Sequence, residues 1–356
     1  MSSVNTGISN VERLFDLGLE QKIYSAGAIA IGKGDRVLFE KAAGHVSYEP
    51  DAAAVTVNTK FDMASCSKIL GPTFAAFHMI ENGDLCLEDT LGELLDHCPE
   101  DKKRITIKNL MTHTSGLPAE ILLWKELTDP SEVLNCILNT PLVYPTGTNV
   151  TYSCMGYITL AKILEKLSGM PLDEMARKWT FDPLGMKDTQ YRGNDKASED
   201  KTIAYTEVKS LFYEGIPGVV HDENARFIGG VSGNAGVFST LHDLELFAAM
   251  LSKDGEPLVT KRLMDIARVN YTPGLDENRG LGFQLSGPSA TFFGDLFGND
   301  GFGHTGYTGT SIAVDAKTGL YVVYLTNRVY PSRSEGRLTR LRHQIHNAAV
   351  KEFIGC

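Results

Sequence analysis

The stretch Ser65-Cys66-Ser67-Lys68 lies between a strand-like run, Lys60 to Met63, and a helical pattern from Ile69 to Ile80. In a helix, side chains at i and i+3 lie on the same face, so Ser65 Oγ and Lys68 Nζ can meet at the helix N-terminus. A serine hydroxyl needs an adjacent base, and a lysine whose pKa is lowered by apolar neighbours can serve. The helix dipole favours negative charge developing on Ser65. These residues indicate a nucleophile with its base, although the same spacing is common by chance.

Pro72 interrupts the helical pattern that follows this stretch. Because proline has no backbone N–H, it cannot donate to the carbonyl of Lys68. We therefore predict a helix that bends at Pro72.

The segment Tyr152-Ser153-Cys154 is a second candidate, placed just before a helical pattern that begins near Gly156. A tyrosine acts as a base only when nearby cations hold it as phenolate, and a lysine would do so. The alternative is a half-buried tyrosine that caps a loop, which is the more common role.

A third candidate is the loop Gly303-His304-Thr305-Gly306-Tyr307-Thr308-Gly309, which leads into a predicted strand, Thr310 to Val314. Its glycines allow a substrate to approach the backbone closely. Strand N–H groups that point at a carbonyl oxygen would supply half of an oxyanion hole. A single histidine in such a loop is more often structural.

Together, the three segments resemble the serine β-lactamase and penicillin-binding protein superfamily. The nearest branch is the class C β-lactamase type, which includes family VIII carboxylesterases and D-alanyl-D-alanine carboxypeptidase-like enzymes. Three further phrases of this branch are present: Leu110-Met111-Thr112-His113-Thr114-Ser115-Gly116-Leu117, Pro183-Leu184-Gly185-Met186 and Val220-His221-Asp222-Glu223-Asn224-Ala225. The resemblance covers nearly the whole chain.

The resemblance implies a role for each matching residue. Ser65 would be the acylated nucleophile, and Lys68 and Tyr152 would share the role of base. His304 stands where β-lactamases usually have lysine and would orient the substrate or Tyr152. The backbone N–H groups of Ser65 and Tyr307 would form the oxyanion hole. The implied reaction is acyl transfer to serine, followed by hydrolysis of the acyl-enzyme.

Two departures from the family pattern concern the substrate-binding residues, which by resemblance are Cys154, Thr305 and Gly306. Cys154 replaces the usual asparagine with a weak donor and acceptor, which should weaken recognition of acylamide side chains. His304 in place of lysine removes a fixed cation that would pair with a substrate carboxylate. Both changes favour an esterase over a dedicated β-lactamase.

Periodicity along the chain predicts strands near both ends and helices between them. The predicted class is α+β, β-lactamase/transpeptidase-like: an antiparallel sheet flanked by the terminal helices, with an inserted, mostly helical domain. We assign residues 1–70 and 235–356 to the sheet domain and 71–234 to the helical domain. The elements at the ends are helix Val11–Ile23 capped by Asn10, strands Ala26–Ile31, Arg36–Ala43, Gly282–Leu285, Thr310–Val314 and Tyr321–Thr326, and helix Glu335–Phe353.

Composition restricts the partners and the compartment. The 356 residues carry a net charge of −10, which argues against a nucleic-acid-binding surface. The sequence has no apolar run long enough for a membrane span, and Met1 to Glu12 does not resemble a secretory signal. We therefore expect a cytoplasmic protein whose six cysteines are free thiols. No metal site or cofactor is expected, and the oligomeric state stays open.

Three other candidate sites compete less well. Cys66 could act as a thiol nucleophile, but at i+1 it points to a different helix face from Ser65, and a buried structural role is more common. His221-Asp222-Glu223 suggests a metal, yet a loop at the rim of the site is the better interpretation. The glycine-rich run 229–236 lacks the Lys-Ser/Thr ending of a phosphate loop and more simply forms one wall of the cleft.

The predicted function is a serine hydrolase of small-molecule esters. On the same site, β-lactamase, D-alanyl-D-alanine carboxypeptidase or D-aminopeptidase activity is the alternative, with an amide or lactam as substrate. A catalytically silent binding module is the alternative of another class. The intact Ser65, Lys68 and Tyr152 favour an enzyme, whereas Cys154 keeps the silent module open.

Overall fold

Nine strands form two sheets in the computed structural model, which describes residues 9–193, 202–208, 217–287 and 292–354. The strands are β1 (Ala26–Lys33), β2 (Arg36–Gly44), β3 (Phe61–Asp62), β4 (Gln190–Tyr191), β5 (Val237–Ser239), β6 (Gln284–Leu285), β7 (Gly301–Thr305), β8 (Ser311–Asp315) and β9 (Leu320–Thr326). The main sheet is antiparallel with the order β2-β1-β9-β8-β7-β6, and a small sheet has the order β3-β5-β4.

Thirteen α-helices occur in the described part of the chain. They are α1 (Asn10–Glu20), α2 (Phe74–Asn82), α3 (Leu91–Leu94), α4 (Ile107–Met111), α5 (Leu123–Glu126), α6 (Val133–Asn139), α7 (Cys154–Ser168), α8 (Leu172–Ala176), α9 (Asp182–Leu184), α10 (Glu223–Phe227), α11 (Leu241–Ser252), α12 (Lys261–Ala267) and α13 (Leu338–Phe353). The middle of the chain is therefore mainly helical. None of these helices combines the length and apolar character needed to cross a membrane.

The central strand β1 is covered on both faces. Because successive side chains of a strand point to opposite faces, Ile29 and Ile31 pack among residues of α1 and α13, while Ala28 and Ala30 join the cluster that includes α11. Every residue of β1 except Lys33 is buried. The small alanines allow α11 to lie close against the sheet.

The predicted fold class is confirmed, with one antiparallel sheet built from both ends of the chain and flanked by the terminal helices. The domain boundaries at 70/71 and 234/235 stay a prediction. Some helix ends differ from the predicted ones. Helix α1 is capped by Ser9, whose hydroxyl accepts from the N–H of Glu12, rather than by Asn10. Helix α13 begins at Leu338 instead of Glu335.

One strand of the main sheet, between β8 and the edge strand β6, was not predicted. Residues Gly301–Thr305 form β7, paired with β8 in the register His304↔Ile312, although their glycines predict a loop. Gly303 is required here, because a side chain would collide with the backbone of Ile312. Gly303 therefore makes this segment look like a loop in the sequence, and the same glycine allows β8 to pair closely with β7.

The buried carboxyl of Glu245 predicts a pH-dependent stability. Burial, together with the nearby carboxyl of Glu40 on β2, raises the pKa of Glu245 on α11 to about 8. A carboxyl whose pKa is higher in the folded state stabilises the fold at low pH, and this contribution is lost as pH rises through that pKa. We expect Glu245→Gln to raise the melting temperature near pH 8 relative to the unmodified chain, and to have little effect near pH 5. Equal shifts at both pH values would contradict this assignment.

Candidate active site

Ser65 lies near the start of a continuous helical stretch, residues 64–82, that changes its geometry along its length. A 3₁₀ turn, Ala64–Cys66, precedes a π-helical turn, Ile69–Thr73, and α2 follows. Pro72 lies inside the π turn, so the distortion predicted there takes the form of a widened turn rather than a broken helix. The backbone before Ser65 is strained, because Ala64 has a φ of 45°.

Lys68 is completely buried, and its ammonium has three acceptors. Lys68 Nζ lies 3.3 Å from Ser65 Oγ, 3.6 Å from Cys154 Sγ and 3.1 Å from the carbonyl oxygen of Asn234. Three acceptors match the three N–H donors of a charged lysine. This arrangement holds Lys68 as an ammonium beside the proposed nucleophile.

The predicted lowering of the Lys68 pKa is wrong. Burial does lower this pKa, but Cys154, Tyr152 and Asp222 raise it by more, so that the pKa of Lys68 lies above its usual value. A lowered pKa would require apolar neighbours, whereas the helical stretch directs the lysine into a polar cluster. At rest, Lys68 holds a proton and cannot yet act as a base.

Tyr152 lies beside Lys68, in the loop just before α7. Lys68 Nζ is 4.7 Å from the centre of the Tyr152 ring. The Tyr152 hydroxyl is buried and has no hydrogen bond of normal geometry. Burial raises its pKa, and the opposing effects of Lys68 and Ser65 are too small to reverse this. Tyr152 is therefore a neutral phenol at rest.

The loop that follows α4 holds the Tyr152 segment in place. The N–H of Ser153 donates to His113 Nδ1 at 3.0 Å, and the N–H of Cys154 donates to the carbonyl of Ala119 at 2.9 Å. His113 also packs its ring 4.6 Å from that of Tyr152. Its φ of 60° is unusual for a residue with a side chain. No role was assigned to His113 from the sequence, although it lies in one of the phrases that carry the family resemblance.

His304 is neutral and offers an acceptor to the cleft. Its Nδ1 donates to the carbonyl of Thr305 at 2.8 Å, which leaves Nε2 as an acceptor that is buried and without a partner. Burial, together with the charges of Lys68 and Arg279, lowers the pKa of His304 to about 3. The His304 ring lies 5.9 Å from that of Tyr152.

The turn after β7 is fastened to the segment that leads to Ser65. Thr308 Oγ1 donates to the carbonyl of Asp62 at 2.7 Å, and Thr310 Oγ1 donates to the carbonyl of Met63 at 3.1 Å. Gly306 must be glycine, because a Cβ there would lie 2.5 Å from the Met63 carbonyl oxygen. These contacts bring Tyr307, a residue that is 50% exposed, to the same cleft as Ser65.

The cleft has two lobes that share Ser65, Tyr152 and Tyr307. One lobe, which we call the basic lobe, is lined also by His304, Thr305, Gly306, Glu277, Arg279, Gln284, Arg328, Glu335, Gly336, Leu338, Thr339 and Arg342. The other, which we call the acidic lobe, is lined also by Ala64, Ala119, Glu120, Cys154, His221, Asp222, Glu223, Ala235 and Arg333. All predicted site residues except the fully buried Lys68 line this cleft.

Arg279 was missed by the sequence analysis. It is 5% exposed, its guanidinium lies 5.4 Å from the centre of the Tyr152 ring, and it pairs with Glu277 at 2.8 Å. No motif marks it, because it reaches the site only through the pairing that places the Arg279–Gln284 bridge beside β7. Arg279 supplies the basic lobe with a fixed cation that position 304 lacks.

The surroundings of Cys66, of His221-Asp222-Glu223 and of residues 229–236 do not favour a thiol nucleophile, a metal site or a phosphate loop. Cys66 is completely buried, burial raises its pKa to about 12, and its thiol faces the carbonyl of His304 at 3.6 Å. The five cysteines in the described ranges are free, and Cys356 lies outside them. No group of three or more potential metal ligands occurs among the described residues. Residues 229–236 supply the carbonyl of Asn234 to Lys68.

The protonation states predict an alkaline rise in activity. Lys68 and Tyr152 both have raised pKa values, so the base form of the pair becomes more populated as pH rises. We expect kcat/KM for a neutral ester, corrected for spontaneous hydrolysis, to increase steadily from about pH 6 to about pH 10. A plateau that is complete below neutral pH would contradict these assignments.

Comparison with known proteins agrees with this geometry. The family model described as "Beta-lactamase" matches residues 11–347. A protein of Escherichia coli (strain K12) named "Putative D-alanyl-D-alanine carboxypeptidase" is 30% identical over 362 residues, which cover 90% of this chain and 83% of that protein.

Two solved structures share the fold. The octameric penicillin-binding protein homologue from Pyrococcus abyssi aligns with a TM-score of 0.75 and 22% identity, covering 94% of this chain and 75% of the other. EstCE1, titled a hydrolase with promiscuous acyltransferase activity, aligns with a TM-score of 0.76 and 23% identity, covering 96% and 97%. Since the family model spans nearly the whole chain, this protein belongs to the beta-lactamase family of serine hydrolases.

Proposed function

We propose that this enzyme hydrolyses carboxylic esters through an acyl-enzyme formed on Ser65. The proposal rests above all on the 3.3 Å contact between Ser65 Oγ and Lys68 Nζ, with Tyr152 beside the same ammonium. A nucleophile with its base in reach, in a cleft open to small molecules, is the arrangement that acyl transfer requires.

The reaction begins once the Lys68–Tyr152 pair has lost one proton. The pair then accepts the proton of Ser65 as Oγ attacks the substrate carbonyl carbon. Negative charge develops on the carbonyl oxygen, and the N–H groups of Ser65 and Tyr307 stabilise it. The C–O bond of the ester breaks, and the leaving alcohol takes the proton back from the pair. Water then attacks the acyl-enzyme by the same sequence and releases the acid.

The environment of position 154 supports esters over lactams with acylamide side chains. Cys154 Sγ is engaged with Lys68 at 3.6 Å, and burial raises the pKa of this thiol, so it remains a weak donor. An ester places fewer hydrogen-bonding demands on this part of the cleft than an acylamide does. Cys154 Sγ is thus one of the three acceptors around the Lys68 ammonium.

A second candidate, D-alanyl-D-alanine carboxypeptidase activity, is favoured by Arg279. The guanidinium in the basic lobe can pair with a substrate carboxylate, which weakens the argument against such substrates made from His304 alone. The name of the Escherichia coli relative agrees with this candidate. A silent binding module is disfavoured, because binding alone gives no physical reason to keep Ser65, Lys68 and Tyr152 in contact.

A direct comparison of substrates tests the ester preference. Turnover of p-nitrophenyl esters of several acyl lengths, of nitrocefin and of a D-alanyl-D-alanine peptide would be measured on the full chain. We expect the highest kcat/KM for an ester. Nitrocefin turnover that rivals the ester would contradict our interpretation of Cys154, and faster release of D-alanine would establish the second candidate instead.

A further inference from the structure

His113 follows the end of helix α4 in a backbone conformation that residues with a side chain rarely adopt. The helix ends at Met111, and His113, two residues later, has a φ of 60°. Glycine is the usual residue at such a helix end, and a glycine with positive φ ends α2, α7 and α9. Histidine is therefore unfavourable here for the backbone alone, which points to a separate role for its side chain.

Two hydrogen bonds to His113 hold the backbone on both sides of Tyr152. The N–H of Thr151 donates to the His113 carbonyl at 3.0 Å, and the N–H of Ser153 donates to His113 Nδ1 at 3.0 Å. The hydroxyl of Tyr144 donates to the same carbonyl at 3.1 Å. Because the main chain and the side chain of one residue bind the two neighbours of Tyr152, the position of this tyrosine depends on His113.

The imidazole ring also supports the aromatic rings that surround the ammonium of Lys68. The centre of the His113 ring lies 4.6 Å from that of Tyr152 and 5.2 Å from that of Tyr157. Lys68 Nζ lies 4.7 Å and 5.7 Å from the centres of the same two tyrosine rings. His113 is 2% exposed and is not among the residues that line the two lobes, so it acts on the site without touching the substrate.

His113 stays neutral near and above neutral pH. Burial, together with the charges of Arg279, Lys68 and His304, lowers the pKa of His113 well below its usual value. Since Nδ1 accepts from Ser153, the proton of the neutral ring is on Nε2, which is buried and has no partner among the described residues. His113 therefore keeps its bond to Ser153 and does not relay protons.

We propose that His113 is a positioning residue for the base, which fixes Tyr152 beside Lys68 by binding both neighbouring peptide groups and by packing its ring against the phenol. This inference rests on the proposed function. The proton still passes from Ser65 Oγ to the Lys68–Tyr152 pair, and His113 forms and breaks no bond to the substrate. Without this support Tyr152 would move relative to the ammonium, and a displacement of about 1 Å can lower a catalysed rate about 10²-fold.

His113→Ala removes both the acceptor and the ring. It would be assayed on the full chain with a p-nitrophenyl ester, with rates normalised to the folded fraction measured by circular dichroism. We expect kcat to fall about 10²-fold while KM changes by less than about twofold, because His113 does not touch the substrate. The alkaline rise in activity should move to higher pH, since Lys68 lowers the pKa of Tyr152 only while the two are close.

His113→Asn separates the hydrogen bond from the ring. The side-chain oxygen of asparagine can replace Nδ1 as the acceptor for Ser153, and asparagine adopts a positive φ more readily than histidine does. This variant should fold, and because it lacks only the ring we expect an intermediate kcat, about tenfold below that of the unmodified chain. An unchanged kcat with an unmoved pH profile would overturn the inference, even if His113→Ala did not fold.

His346→Ala is the matched control. His346 is also a completely buried histidine whose pKa burial lowers to about 3, and its Nδ1 lies 3.1 Å from the carbonyl of Phe293, away from the residues that line the cleft. We expect a lower melting temperature with an unchanged kcat and pH profile for the folded fraction. If His113→Ala behaved in the same way, its role would be structural and the inference would be overturned. No turnover of esters, nitrocefin or a D-alanyl-D-alanine peptide by the unmodified chain would instead overturn the proposed function.

Discussion

Ser65→Ala is expected to abolish ester turnover, with a loss in kcat of at least about 10⁴-fold. The substitution removes only Oγ, whose contact in the structure is the 3.3 Å approach to Lys68 Nζ. Ser65 is partly exposed at the base of the cleft, so the loss of one hydroxyl should leave the fold intact. Initial rates with a p-nitrophenyl ester, together with the melting temperature, measure the two effects separately.

Cys66→Ala is the matched control for this experiment. It removes one side-chain atom from the next residue, which is completely buried and faces the carbonyl of His304 rather than the cleft. We expect most of the turnover to remain. If Cys66→Ala were inactive while Ser65→Ala kept its activity, the nucleophile would be assigned to the wrong residue.

Lys68→Met is expected to lower kcat by about 10²- to 10⁴-fold, the usual contribution of a positioned acid–base group. Methionine fills much of the lysine's volume but offers no donor to Ser65 Oγ, Cys154 Sγ or the Asn234 carbonyl. The alkaline rise should change as well, because the remaining Tyr152 loses the cation that lowers its pKa. A shift of the profile to higher pH is the expected direction.

Lys102→Met provides the control for loss of a buried lysine. Lys102 is 2% exposed and pairs with Asp101 away from the cleft. We expect full activity whatever its effect on the melting temperature. Equal losses of activity in both lysine variants would show that Lys68 acts through stability alone, and the proposed base would then be wrong.

Five of the six strands of the main sheet, and the proximity of Ser65 to Lys68, could be predicted from the sequence for identifiable reasons. Continuous apolar runs such as Ala26–Ile31 are typical of buried strands. Residues at i and i+3 stay close in the 3₁₀ and π turns as they do in an α-helix, so Ser65 and Lys68 are in contact although the helical geometry changes between them. These features therefore follow from local sequence patterns. Only the family resemblance indicated that the segments around Ser65, Tyr152 and His304, which lie far apart in the chain, form one site.

Other features depend on contacts between distant residues and left no local signal. Arg279 enters the cleft only because β6 pairs beside β7. The Lys68 pKa rises because Cys154 and Asp222 approach it from other elements. The acidic lobe requires Asn224 to fasten a loop to a helix about a hundred residues away in the chain.

The central claim, that Ser65 is acylated, is tested most directly by intact-mass measurement after exposure to p-nitrophenyl esters of several acyl lengths. We predict a mass increase equal to one acyl group, located by peptide mapping on the segment that contains Ser65 and absent from Ser65→Ala. Because the same peptide contains Cys66, the Cys66→Ala variant distinguishes the two residues, and we expect this variant to be labelled still. No adduct and no turnover with any ester, or an adduct confined to a cysteine, would contradict the account.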